Sequence, residues 1–211
     1  MLKKEAVIID YGCGNLTSIK RALEYLDFNA VITNDKNKIN KADRLILPGV
    51  GNFGFAMDAI NKLNLKDSIF KFIDSQKPFL GICLGMQLMF ESSEEDSYSE
   101  KGLSFFDGSV KKIPKNNDGS VPRVGWYNLS NEDSDLLRNK IFLNISYRDK
   151  FYFVHSYKVF SEKINNFCLF DTYYDSPICT TVIKDNIYLF QFHPEKSSNK
   201  GLEIYKNFFS I

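Results

Sequence analysis

The stretch Phe79 to Gln87 constrains the fold more than any other, because a short apolar run, Phe79 to Ile82, passes directly into Gly81-Ile82-Cys83-Leu84-Gly85-Met86-Gln87. Glycines on either side of a reactive residue, with an apolar helical pattern after it, have the form of a nucleophile elbow. There a strained turn lifts one side chain out at the end of a buried strand. Such a turn requires a strand covered on both faces, hence a parallel sheet flanked by helices. Ligands of such sheets bind beyond the carboxyl ends of the strands, where Cys83 would lie.

The first half of the chain fits that requirement. Ala6 to Ile9, Ala30 to Thr33 and Leu45 to Leu47 read as strands, and Asn15 can cap a helix carrying Leu16, Ile19, Leu23 and Leu26 on one stripe. Further helices are expected near Ala56 to Leu63, from Lys66 to Ser75, and from Leu84 to Phe90. The second half changes character. Ser92 to Lys101 reads as a solvated loop and Asn116 to Ser120 as a polar turn. Aromatic and β-branched runs follow as strands, Phe151 to Phe160, Phe167 to Tyr173, Cys179 to Lys184 and Ile187 to Phe192, the last two joined as a hairpin at Asp185-Asn186. A closing helix from Ser198 places Leu202, Tyr205 and Phe209 near one face.

With 211 residues the chain is expected to form a single domain spanning 1–211. A formal net charge of +1 gives no electrostatic case for nucleic acid or an acidic membrane. The apolar stretch after Lys4 ends at Asp10, too early for a signal-peptide core, and no run approaches the ~20 apolar residues of a membrane span. Cys13, Cys83, Cys168 and Cys179 form no CxxC pair and suit a reduced cytoplasmic protein better than a disulfide framework. The expected locale is therefore the cytoplasm.

A lone cysteine is most often a small core hydrophobe. Cys83 is set apart by its elbow and by the helix start beyond it, whose positive dipole end favours a thiolate. A thiol also needs a base, and the base needs an orienting carboxylate. Phe192-His193-Pro194-Glu195 supplies both, with His193 and Glu195 two residues apart and so on one face of an extended segment. The chain has two histidines, leaving His155 as the only rival base. Pro48-Gly49-Val50-Gly51-Asn52-Phe53-Gly54 follows another strand; its glycines are an ordinary turn or a loop that turns backbone N–H groups toward an oxyanion.

Gly81 to Gln87 with His193-Pro194-Glu195, in the order Cys, His, Glu, resembles the class I glutamine amidotransferases. Within that class, Asp10-Tyr11-Gly12-Cys13-Gly14-Asn15-Leu16, Pro48-Gly49-Val50-Gly51, Gly125-Trp126 and Phe190 to Ser197 resemble the glutaminase subunits of imidazole glycerol phosphate synthase. The resemblance spans essentially the whole chain and implies an α/β, flavodoxin-like fold with added antiparallel strands. It implies that Cys83 attacks the glutamine side-chain amide to form a thioester, with His193 as base and Glu195 orienting it. Leu84 N–H and an N–H from Val50-Gly51 would form the oxyanion hole. Gln87 and the Val154-His155-Ser156-Tyr157 segment, chiefly Ser156 and Tyr157, would hold glutamine, leaving His155 a scaffold residue. No cofactor or metal is implied.

The same resemblance implies a heterodimer with a cyclase subunit built as a (β/α)₈ barrel, which receives the ammonia in histidine biosynthesis. Lys196, Asn15 and Trp126 map to the partner side. One departure stands out: the family commonly has Pro-His-x-Gly-Trp-Asn where this chain has Pro122-Arg123-Val124-Gly125-Trp126-Tyr127. Arg123 and Tyr127 are accordingly expected at the partner face. The runner-up is a related glutaminase supplying ammonia for amidination of a surface sugar. A non-catalytic subunit on the same fold is disfavoured, since all three triad residues are present. Glutaminases of pyridoxal phosphate or purine synthesis are disfavoured by the Asp-Tyr-Gly start and the Glu-Lys-Ser ending.

Overall fold

The computed structural model describes residues 4–95, 101–115, 121–130, 134–164, 168–171 and 177–211. In chain order the strands are β1 (Glu5–Ile9), β2 (Asn29–Thr33), β3 (Arg44–Leu47), β4 (Phe79–Ile82), β5 (Ser92–Ser93), β6 (Ser109–Lys112), β7 (Arg123–Asn128), β8 (Lys150–His155), β9 (Tyr157–Phe160), β10 (Cys168–Asp171), β11 (Ile178–Lys184) and β12 (Ile187–Phe190). The helices are α1 (Leu16–Tyr25), α2 (Lys36–Lys41), α3 (Phe53–Lys62), α4 (Lys66–Asp74), α5 (Leu84–Gln87) and α6 (Ser198–Ser210). Seven strands form the central sheet in the order β10-β11-β12-β4-β3-β1-β2. From β12 to β2 all neighbours are parallel, while β10, β11 and β12 run antiparallel to one another. None of the described helices is long and apolar enough to cross a membrane.

Why these segments form the sheet is visible in their burial. β3, β4 and β12 are buried at every position, as strands covered on both faces must be. One core lies on each side: Val7, Leu45, Phe79 and Leu189 face α2, α3 and α4, and Ile8, Ile46, Leu80 and Phe190 face α1 and α6. Asn15 caps α1 as expected, its side chain accepting from Ser18 N at 3.4 Å. Asp185 (φ 52°) begins the expected two-residue hairpin, with Lys184 opposite Ile187.

Five differences from the sequence reading stand out. α2 was not expected from its polar sequence; Asp35 caps it and Ile39 alone buries. α5 stops at Gln87 rather than Phe90 because the chain tightens into i→i+3 bonds, Met89 N donating to Met86 O and Phe90 N to Gln87 O, and the Leu88 and Met89 carbonyls accept from Leu103 N and Phe105 N. Phe151 to Phe160 is two strands, since β8 pairs with β7 whereas β9 pairs with β6, and the chain changes partner at Ser156. Cys168 and Cys179 are not free thiols: they are joined by a disulfide between the adjacent strands β10 and β11. Ser92-Ser93 pairs with β6 instead of belonging to a loop. The turn read at Asn116 to Ser120, and the ends of the Phe167 to Tyr173 run, lie outside the described residues.

Candidate active site

The carboxyl ends of four neighbouring strands meet at one edge of the sheet. β1 leads to Tyr11 and Asn15, β3 to Pro48-Gly51, β4 to Cys83 and β12 to His193. Cys83 has φ 52° and ψ −108°, outside the regions a side-chain-bearing residue prefers, and is 7% exposed. The strain is held by packing: Cys83 N donates to Phe190 O at 2.7 Å, and Gly85 lies so close to β3 that a Cβ there would stand 2.0 Å from Leu47 O.

His193 and Glu195 meet, though not by the route the sequence suggested. Pro194–Lys196 is a 3₁₀ turn rather than an extended segment, with proline at its first position. The turn curls the Glu195 carboxylate back onto the ring, Oε1 lying 2.8 Å from His193 Nδ1 with both side chains buried. Ser197 Oγ fixes the turn by donating to His193 O at 2.6 Å and accepting from Tyr152 N at 3.0 Å. Nδ1 being engaged, Nε2 is the nitrogen that faces Cys83. Burial pushes the His193 pKa down, but Cys83 and Glu195 more than reverse this and raise it to about 10.

His155 is a different kind of histidine. Its Nδ1 lies 2.7 Å from Tyr157 O, and burial above all lowers its pKa to about 3. It stays neutral and structural. As pH falls, the unfolded chain protonates this ring near 6.5 whereas the folded one resists to about 3, so His155 costs stability progressively across that window. The His193 contribution, with its pKa raised, is complete below about 6.5 and fades only as pH rises through about 10. Urea unfolding of His155→Asn is therefore expected to lose less stability between pH 7 and pH 4 than the parent. Parallel pH curves would refute this account of the ring.

A cleft of about 730 Å³ opens over Cys83. Of the residues singled out from the sequence, Val50, Gly51, Leu84, Gln87, Ser156, Tyr157, Asn15 and Lys196 line it. Gly51 has φ 108°, and Val50 is exposed at the loop tip. The base of that loop is pinned, Tyr11 Oη donating to Pro48 O at 2.6 Å. Gln87 Nε2 donates to Tyr157 O at 3.2 Å and to Gln191 Oε1 at 3.0 Å, and Gln191 Nε2 donates to Cys83 Sγ at 3.6 Å. Sequence reasoning assigned no role to Gln191 or to Glu95, which lines the cleft and accepts from Phe53 N at 2.8 Å. The Gln191 motif was legible; Glu95 sat in a stretch read as solvated loop.

Arg123 must be withdrawn from the partner face. It is wholly buried, ion-paired with Asp171 of β10, with its guanidinium 4.0 Å from the Tyr127 ring centre and 4.6 Å from that of Phe153. The alternation of β7 explains this: Arg123 and Tyr127 turn to the interior, Val124 and Trp126 to the surface. Trp126 is 45% exposed and Lys196 is exposed, so those two remain available to a partner.

A strained cysteine beside a buried His–Glu pair, at the carboxyl end of a parallel sheet, is the equipment of a thiol acyl-transfer enzyme. The chain belongs to the class I glutamine amidotransferase family, whose model matches residues 7–211, and it is a glutamine amidotransferase. It is 45% identical over 202 residues to "Imidazole glycerol phosphate synthase subunit HisH" of Caldanaerobacter subterraneus subsp. tengcongensis, covering 95% of each chain. It is 42% identical over 204 residues to the protein of the same name from Methanocaldococcus jannaschii, covering 97% of this chain and 98% of that one. A solved structure, "Structure of PurLQS from Thermotoga maritima", shares the fold at a TM-score of 0.72 and 17% identity, covering 99% of both chains.

Proposed function

We propose that this chain is the glutaminase subunit of imidazole glycerol phosphate synthase, acting as one domain over residues 1–211. The observation that carries the chemistry is the convergence of Cys83, His193 and Glu195 at adjacent strand ends. The relatives' names carry the pathway and favour histidine biosynthesis over sugar amidination.

In this reading the Cys83 thiolate attacks the amide carbon of glutamine while His193, oriented by Glu195, holds the thiol proton. Negative charge develops on the amide oxygen. Leu84 N–H, at the start of α5 where no intrahelical acceptor exists, and an N–H of Val50 or Gly51 receive it. His193 then gives its proton to the departing ammonia, leaving a γ-glutamyl thioester. It next takes a proton from water, whose oxygen attacks the thioester to release glutamate and restore the thiol. Gln87, Ser156 and Tyr157 border the space for the glutamine. The ammonia passes to a cyclase subunit with a (β/α)₈ barrel, seated against Asn15 and Lys196, which line the cleft, and the exposed Trp126.

The exposed Val50-Gly51 tip explains why turnover should depend on that partner: a misaimed oxyanion donor costs about 10²–10³ in rate. The purified chain alone is expected to release ammonia slowly. Adding the histidine-pathway cyclase with its substrate should accelerate release by about 10² or more and yield glutamine-dependent product. Lys196→Glu should weaken that stimulation while leaving the melting temperature in place. Stimulation only by a cyclase-like protein of a sugar locus, or none by either, would overturn the pathway.

A further inference from the structure

The site contains a second carboxamide whose orientation can be worked out from its neighbours. Gln191 follows β12 and is wholly buried. A backbone carbonyl only accepts hydrogen bonds, so Tyr157 O, 3.2 Å from the Gln87 amide, fixes that end as nitrogen. The same nitrogen lies 3.0 Å from Gln191, whose facing atom must then be oxygen. That leaves the Gln191 nitrogen toward Cys83, where it donates to Sγ at 3.6 Å. The polarity of the chain Cys83, Gln191, Gln87 is thus set from β9, two side chains away from the sulfur.

We propose that Gln191 is a catalytic residue of the glutaminase, its amide N–H holding the Cys83 sulfur toward His193 and stabilising negative charge on it when the thiolate attacks and when it departs from the thioester. The proposal rests on reading Cys83 as the nucleophile. A donor aimed at sulfur stabilises the sulfur anion, and a hydrogen bond to a charged group is worth about 10- to 100-fold. The bond joins the residues that follow β12 and β4, neighbouring strands in parallel register, so its position does not depend on the loop after β3. The Gln87 nitrogen is in turn committed to Gln191 and to Tyr157 O.

The test uses the whole chain and iodoacetamide as probe at one fixed pH, with Cys13 as an internal reference. Gln191→Met keeps the approximate volume and removes the donor; Gln191→Glu keeps an acceptor for Gln87 but removes the donor at sulfur. Both are expected to slow alkylation of Cys83 by about 10-fold or more without changing that of Cys13. With the cyclase present, kcat for glutamine should fall with KM within about twofold, since a bond to the sulfur acts on the reacting group rather than on substrate seating. Should neither variant fold, Gln87→Met removes the anchor that orients Gln191 and should slow Cys83 alkylation by about threefold or more, part of the same bond. Folded variants that alkylate at the parental rate would overturn the proposal. If Cys83→Ala is inactive while those variants react normally, only the role of Gln191 falls; if Cys83→Ala still turns over glutamine, the nucleophile assignment falls with it.

Discussion

Replacing Cys83 by alanine is expected to abolish both ammonia release and covalent labelling by a glutamine-like diazo-ketone. His193→Asn should lower kcat by at least about 10⁴, or about 5.4 kcal/mol of transition-state stabilisation. The magnitude follows from the geometry. Cys83 is locked by its strained turn and by its bond to Phe190 O, and His193, the proposed base, follows the adjacent strand. The other histidine of the cleft cannot take over. His155 stays neutral but spends its Nδ1 on Tyr157 O, so His155→Asn should cost far less. Mass spectrometry after labelling checks the nucleophile: Cys13, the other free thiol, is less reactive because burial raises its pKa. Equal labelling of Cys13 and Cys83, or undiminished turnover after either triad substitution, would refute the assignment.

Gly85→Ala is expected to be among the most damaging small substitutions in the chain outside the triad. The added methyl would stand 2.0 Å from Leu47 O and 2.8 Å from Leu47 C, both backbone atoms of β3 that cannot rotate aside. Relief requires separating α5 from β3 and so dismantling the elbow. A cost of about 2–4 kcal/mol is expected, which lowers Tm by roughly 5–15 °C in a chain of this size, with loss of Cys83 labelling in what remains folded. Gly12→Ala is the control: no atom lies within 4 Å of the added methyl, and its penalty is confined to φ 87°, about 1–2 kcal/mol. Thermal melts of the two variants decide the matter. A Gly85→Ala melt within 2 °C of the parent would show that β3 yields after all.

How much of this was legible beforehand depended on whether the information was local. The elbow, the cap at Asn15, the alternation of strands and helices and the Asp185-Asn186 hairpin are written in consecutive residues, and all were read. The His–Glu pair was found from chemistry, though its 3₁₀ geometry was not. What escaped depends on partners far along the chain. Arg123 looks like a surface cation until Asp171 is brought to it, and nothing near either residue announces the other. The break at Ser156 is invisible because β8 and β9 have equally good strand compositions; only the identity of their partners, β7 and β6, separates them. Cys168 and Cys179 lacked any motif, yet the antiparallel pairing of β10 with β11 sets their Cα atoms 6.4 Å apart. Glu95 was hidden by its acidic, serine-rich surroundings, which favour a solvated reading until the start of α3 supplies a donor.

The parallel register of β4 with β12, Ile82 beside Phe190, has a consequence for how such an enzyme can be switched. The proposed nucleophile and base both follow strands of a single ladder, so any signal that sought to separate them would have to break the middle of the sheet. The Val50-Gly51 tip, proposed above to carry oxyanion donors, hangs on a loop outside that ladder, its foot held by Tyr11. On the proposed roles the architecture would divide labour: one half permanently cocked, the other the safety catch. Evolution can therefore retune when the chemistry fires, or which partner releases it, by editing a few loop residues without touching the parts that perform it.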